Sequence, residues 1–232
     1  VVLRRSAGNG APQLVAFCRV EDEVDGQLPA ASQPQVAPAD GEIQAVREAG
    51  WGQVFDEIYQ SRDVDTPAHN NYAGWLDSAA RQPIPDAEMD VQFTATVSRI
   101  RNVCLSSSLT RPRVLELGCG LGLVALRLLP FCCTYAACDL SPTALEVLGS
   151  AAQQPPPSGA QAAVHTCTHQ PLTADDVASL LARQPVGTAP CVQLAVAGAR
   201  QFVSLACEIV SRTPAVAFDA VVINSVLQYF PS

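Results

Sequence analysis

One stretch constrains this chain more than any other: Val114-Leu-Glu-Leu-Gly-Cys-Gly-Leu-Gly-Leu-Val-Ala125. A short apolar run, closely spaced glycines and then small aliphatic residues predict a strand, a tight bend and a helix. Glycines are needed at Gly118, Gly120 and Gly122 because a ligand there approaches the backbone and the bend uses dihedrals that a Cβ obstructs. Asp139 closes the next apolar run, Thr134–Cys138. It stands at a spacing of about 20 residues from the bend, where an acid accepts both ribose hydroxyls of an adenosine-containing ligand. Two features of one βαβ unit thus agree on the ligand class.

The kind of adenosine ligand is a separate question. Gly120-Leu-Gly122-Leu-Val-Ala125 also fits the G-x-G-x-x-A dinucleotide pattern. Glu116 argues the other way, since a carboxylate just before the bend repels a pyrophosphate and suits a cationic sulfonium carrying an amino acid. The methyl donor is the favoured reading. A dinucleotide, or a glycine turn that binds nothing, stays open.

Around this unit the pattern alternates. Val114–Leu117, Thr134–Cys138, Val192–Val196 and Ala220–Ile223 read as strands, and Leu121–Leu129 reads as a helix stopped by Pro130. Ser141-Pro142 opens another helix as N-cap and first-turn proline. Thr173 with Asp176 forms a capping box for a helix to Arg183. Strand, helix, strand implies a parallel sheet with covered faces, an α/β fold. Upstream, Glu42–Gln60 reads as a helix with an uneven apolar face of Val46, Trp51, Val54, Phe55 and Ile58. Ser61–Arg81 is irregular, and Asp86 is a candidate N-cap for a helix presenting Met89, Phe93, Val97 and Ile100. Val1–Arg5 and Leu14–Val20 flank Gly8-Asn9-Gly10 as a hairpin, and an acidic patch (Glu21-Asp22-Glu23, Asp25) precedes linker-like Gln27–Asp40.

Composition narrows the function. The 232 residues carry 22 acidic and 14 basic side chains, a net charge of -8. That balance argues against a nucleic-acid substrate, whose phosphates are bound largely by Lys and Arg. No run approaches the roughly 20 apolar residues of a membrane span. The nine cysteines are scattered, and Cys119, Cys138 and Cys207 read as small buried hydrophobes of a reducing, cytoplasmic compartment. No ligand spacing suggests a metal. The start, Val1-Val2-Leu3-Arg4-Arg5, has no initiator Met and no signal layout, and reads as cut from a longer chain.

Three segments carry a family resemblance. Glu116-x-Gly-x-Gly-x-Gly122 resembles the first motif of class I S-adenosylmethionine-dependent methyltransferases. Trp51-Gly-Gln-Val-Phe-Asp-Glu-Ile-Tyr59, with Asn70-Asn-Tyr-Ala-Gly-Trp75 and Pro83–Met89, resembles the methyltransferase domains inserted into adenylation domains of nonribosomal peptide synthetases. So does Phe218-Asp-Ala-Val-Val-Ile-Asn-Ser-Val-Leu-Gln-Tyr-Phe-Pro-Ser232. The resemblance implies a Rossmann-like parallel sheet, C-terminally incomplete because the usual seven strands are not reached, with a short N-terminal β-hairpin appendage. It divides the chain into an adenylation-subdomain fragment (1–24), a linker (25–41) and a methyltransferase domain (42–232), the last comprising a helical lid (42–104) and a core (113–232). It implies transfer of a methyl group from S-adenosylmethionine to the α-amino group of an aminoacyl thioester, held by phosphopantetheine on a neighbouring carrier domain. Adenylation and carrier domains of the same synthetase are the implied partners. A free-standing O- or C-methyltransferase, or a non-catalytic docking module, are the alternatives.

By the same resemblance Glu116, Gly118, Cys119, Gly120, Gly122, Asp139, Leu140 and Asn224 line the cofactor. Asn224 and Tyr229 serve the chemistry, Phe230 adds a wall, and Tyr59, Trp75 and Gln228 face the substrate. Three departures stand out: Leu76–Gln82 lacks the family's Ser- and Tyr-containing run, Ala197–Gln201 has no acid, and Pro155–Pro190 is expanded and of low complexity. An early end also predicts weak cofactor binding by the isolated chain.

Overall fold

The computed structural model describes residues 2–4, 13–15, 38–77, 79–106, 111–154, 162–168, 172–182, 189–212 and 218–224. The chain divides into two units, Val1–Pro38 and Ala39–Ser232. In the first, Val2–Arg4 (β1) pairs antiparallel with Gln13–Val15 (β2), Leu3 opposite Leu14. The Gly8-Asn9-Gly10 turn, the acidic patch and most of the linker-like stretch lie outside the described residues.

The second unit is built on five parallel strands. These are Arg113–Leu117 (β3), Thr134–Asp139 (β4), Ala163–Cys167 (β5), Cys191–Val196 (β6) and Ala220–Ile223 (β7), in the order β5-β6-β4-β3-β7. The period-2 alternation of strands sends successive side chains to opposite faces. Val114, Tyr135, Ala137, Val192 and Leu194 join one buried cluster, with Met89 and Phe93 of Asp86–Ser106 (α2), Ala125 and Leu128 of Ala125–Leu128 (α3), and Leu145 and Leu148 of Pro142–Ala152 (α4). Leu115, Leu117, Ala136, Cys138 and Ala195 join the other, with Val177, Leu180 and Leu181 of Ala174–Leu181 (α5) and Phe202 and Ala206 of Ala199–Arg212 (α6). The chain steps outward from β3 to β4 to β5 with helices on the first face, then returns through β6 to β7 with helices on the second. A reversal of direction with a change of face keeps one crossover hand throughout. The order reverses beside β3, so the crevice for a ligand lies at the carboxyl ends of β3 and its neighbours.

Six sequence expectations require correction. β5 and α5 together form a βα unit inside the stretch that reads as expanded low complexity, and β5 takes the sheet edge beyond β6. β5 is only partly buried along its length, which is why its apolar signal is weak. The helix expected over Leu121–Leu129 shrinks to α3 and a 3-10 turn, Leu129–Phe131, because residues up to Val124 are spent in the glycine bend and Pro130 donates no backbone hydrogen bond. Cys207 is exposed on α6, one position past buried Ala206 and so about 100° around the helix. Helix α1 (Pro38–Gln60) starts four residues earlier than its periodicity predicts, with Pro38 as its first residue. Its apolar face does not dock as a whole either, since Trp51 and Val54 are 40% and 46% exposed. Asp86, expected as an N-cap, is the first residue within α2. The Ser141 cap and the Thr173–Asp176 capping box are as expected: Ser141 Oγ accepts from the Ala144 amide at 3.1 Å, and Thr173 and Asp176 bond reciprocally.

Candidate cofactor site

The site begins where β3 ends. The amides of Gly118 and Cys119 both donate to the Cys138 carbonyl, at 2.8 and 3.2 Å, which turns the chain sharply against the end of β4. Gly118, Gly120 and Gly122 all have positive φ (72°, 50° and 83°), the left-handed region that a Cβ disfavours. Two of them are also short of space. A Cβ on Gly122 would lie 2.5 Å from Leu148 Cδ1, and one on Gly120 would lie 2.9 Å from the Tyr59 hydroxyl. Gly122 thus lets α4 pack against the bend, and Gly120 lets Tyr59 approach it.

Asp139 points into the bend. Its Oδ2 accepts the Gly120 amide at 2.7 Å and its Oδ1 accepts the Ser141 amide at 2.9 Å. Burial pushes its pKa up, partly offset by hydrogen bonds from Ser141, Gly120 and Leu140, while the neighbouring Asp56 carboxylate adds to the rise. Glu116 is 2% exposed and accepts a hydrogen bond from the Tyr135 hydroxyl at 2.8 Å. Burial pushes its pKa up to about 8; the Tyr135 bond lowers it and the Asp139 charge raises it. Burial, then Asp139 and Glu116, hold the Cys119 thiol well above its ordinary pKa, so it stays protonated and non-nucleophilic.

Helix α1 crosses the carboxyl edge of the sheet. Glu48, Gly52, Asp56 and Tyr59, at i, i+4, i+8 and i+11 and so on one helical face, meet successive strand ends. A Cβ on Gly198, beyond β6, would lie 2.7 Å from Glu48 Oε2, and one on Gly52 would lie 3.5 Å from the Leu140 carbonyl oxygen, beyond β4. Asp56 Oδ1 accepts the Ser141 hydroxyl at 2.5 Å and the Thr143 amide at 3.0 Å, at the start of α4. Trp51, Phe55 and Tyr59 stack along the same helix, with ring centroids 5.9 and 6.0 Å apart.

Glu116, Gly118, Cys119, Gly120, Gly122, Asp139, Leu140 and Tyr59 therefore converge on one bend. Asn224 directly follows β7, whose Ile223 is in register with Leu117, so it stands at the carboxyl end of the strand next to β3. Trp75 is elsewhere: it packs edge-on against Phe93, 5.4 Å between centroids, in the α2 cluster. Gln228, Tyr229 and Phe230 lie outside the described residues. Two residues escaped the sequence reading. Asp56 sits inside the quoted Trp51–Tyr59 block but resembles any exposed helical acid there. Arg127 of α3 donates to the His69 and Leu123 carbonyls, to Asn70 Oδ1 and Tyr72 Oη, and to Asp90 Oδ1, and lies over the Phe93 ring. It fastens the segment before α2 to the helix after the bend.

Residues 115–184 match a family described as a methyltransferase domain. The match indicates an S-adenosylmethionine-dependent methyltransferase domain over that stretch. The five-strand parallel sheet with flanking helices is the Rossmann-like fold of class I methyltransferases, which use S-adenosylmethionine. Over 187 residues, 78% of this chain, the sequence is 29% identical to a probable non-canonical nonribosomal peptide synthetase, CymA, of Salinispora arenicola (strain CNS-205). The aligned region spans about 2% of that protein's length. Among the described residues no cluster of three or more His, Cys, Asp or Glu side chains forms a metal site, and no helix is long and apolar enough to cross a membrane.

Proposed function

We propose that this methyltransferase domain belongs to a nonribosomal peptide synthetase and methylates the α-amino group of an aminoacyl thioester carried on phosphopantetheine. The observation that supports the cofactor end is the grouping of Glu116, Asp139 and Asp56 around one glycine bend. Three carboxyl groups there disfavour a pyrophosphate and favour a ligand with positive charge. An ionised carboxylate offers about four acceptor positions. The Gly120 amide takes one on Oδ2 and the Ser141 amide one on Oδ1, and the Leu140 amide also bonds the carboxylate, so the acid keeps a position for a ribose hydroxyl.

In this reading Asp139 holds the ribose, the Gly118–Gly122 bend admits the cofactor backbone-close, and Leu140 lies beside the adenine. Glu116 faces the methionine end, and Cys119 contributes a small inert wall. When bound, S-adenosylmethionine supplies an electrophilic methyl group, which a neutral amine takes while the sulfur keeps the bond's electron pair. The chain's part is to position the amine and keep water away, which accounts for much of the rate in such displacements. Asn224, at the carboxyl end of β7, orients the amine, and Gln228 and Tyr229 serve the substrate and the chemistry. Adenylation and carrier domains of the same synthetase supply the substrate, and the reaction is cytoplasmic. The likeness to a synthetase supports the partner assignment, and the acidic composition argues against a nucleic-acid substrate.

Calorimetric titration with S-adenosylmethionine, S-adenosylhomocysteine and NADH, side by side, tests the cofactor. The first two bind and NADH does not, and Asp139→Ala weakens binding by about 1–3 kcal/mol, the usual cost of stranding hydroxyl groups. NADH binding, or unchanged affinity in the variant, refutes the reading. Radiolabelled methyl transfer to an aminoacyl-pantetheine thioester then distinguishes the amine from oxygen or carbon acceptors.

A further inference from the structure

Helix α1 is joined to the ribose acid by a continuous chain of hydrogen bonds. Asp56 Oδ1 accepts the Ser141 hydroxyl, the Ser141 amide donates to Asp139 Oδ1, and Asp139 Oδ2 accepts the Gly120 amide. Resting on the cofactor reading above, we propose that Asp56 is a positioning residue for the cofactor: it fastens α1 over the bend and sets the orientation of Asp139 through Ser141.

A purely structural cap does not explain the arrangement. Ser141 Oγ already caps α4 by accepting the Ala144 amide at 3.1 Å. Adding a carboxylate at this place brings a like charge close enough to raise the pKa of Asp139, an electrostatic cost that a neutral side chain avoids. Beyond accepting the Thr143 amide in the first turn of α4, Asp56 claims the Ser141 proton, as an amide oxygen in its place also would. Ser141 Oγ has one hydrogen, and its bond to Asp56 directs that hydrogen away from Asp139. The backbone amides of Gly120, Ser141 and Leu140 are then the donors that hold Asp139, and its remaining acceptor position stays available to a ligand hydroxyl. The same anchor sets α1 in register over the crevice, with Tyr59 at Gly120 and Gly52 at Leu140.

Asp56→Ala, Asp56→Asn and Ser141→Ala test this. Hydrogen exchange on the free protein comes first, because it is independent of any ligand. Asp56→Ala speeds exchange at the Gly120 and Ser141 amides, and Asp56→Asn, whose amide oxygen still accepts from Ser141 and Thr143, leaves it near wild type. Stopped-flow binding of S-adenosylhomocysteine, read by Trp51 emission in a Trp75→Phe background, comes second. Dissociation accelerates about ten-fold in Asp56→Ala, as loss of a hydrogen bond implies, and is rescued in Asp56→Asn. If Asp56→Ala does not fold, Ser141→Ala breaks the same link from its other end and gives the same acceleration. Unchanged exchange and unchanged dissociation in the alanine variants overturn the proposal, as does equal loss in Asp56→Asn. Failure of the wild-type protein to bind S-adenosylhomocysteine refutes the cofactor reading instead, and leaves the exchange result to decide the link itself.

Discussion

Glu116→Gln isolates a carboxyl group that the fold holds far from its ordinary state. The side chain is 2% exposed at the end of β3, and burial pushes its pKa up to about 8. An unfolded glutamate titrates near about 4.3. Because the folded value is the higher one, the folded state binds the proton more tightly. The stability this contributes is complete below pH of about 4.3, declines as pH rises, and is gone above pH of about 8. Each pH unit across that window is worth about 1.4 kcal/mol. Between pH 6 and pH 8 the wild type should therefore lose about 2 kcal/mol that a non-titrating side chain does not lose. Glutamine has nearly the same shape, and its oxygen can still accept from the Tyr135 hydroxyl, so packing is retained. For a domain of this size the difference corresponds to about 4–8 °C in Tm. Thermal melts of wild type and Glu116→Gln at both pH values, at matched ionic strength, give the comparison. Parallel pH profiles would refute the argument, because they would mean that Glu116 is ionised at neutral pH in the folded protein.

In the proposed function the same acid couples to the cofactor. A cation brought beside Glu116 favours its charged form and lowers its pKa. At pH 7 a group with a pKa of about 8 is mostly protonated, so binding S-adenosylmethionine releases close to one proton, and affinity rises with pH until about 8. Titration in two buffers of different ionisation enthalpy measures that release, and Glu116→Gln should abolish this part of it.

Two further outcomes follow from packing and clasping. Gly122→Ala combines a φ of +83° with a Cβ 2.5 Å from a methyl of fully buried Leu148, and should cost about 2–4 kcal/mol in a denaturant melt. Arg127→Ala removes the donors held by His69, Asn70, Tyr72 and Asp90; it should cost about 2–3 kcal/mol and speed hydrogen exchange over residues 69–72 while sparing the sheet.

The central βαβ unit was legible in the sequence because its signals are local. β3, the glycine bend, β4 and the Ser141-Pro142 cap each declare themselves within a few residues, and the Asp139 spacing joins them. β5 was not legible for a physical reason. It is an edge strand that buries its side chains only partly, so it has no need of the apolar run that marks β4 and β6 as central strands. What did announce the extra unit was the capping box of α5, a helix that needs a strand before it if the alternation is to continue.

The site divides in the same way. Residues that act through backbone geometry were found, because glycines at fixed spacing are visible without a fold. Asp56 and Arg127 were not, since their partners are 85 to 87 and up to 58 residues away. Helix α1 misled for a related reason. A helix is ordinarily read by its apolar stripe, but α1 lies across the ends of strands, where the exposed groups are amides, carbonyls and a helix N-terminus. The face that docks there must be polar or small, as Glu48, Gly52 and Asp56 are. Trp51 and Val54 are left to turn outward, so the docking face of such a helix is one that hydrophobic periodicity assigns to solvent.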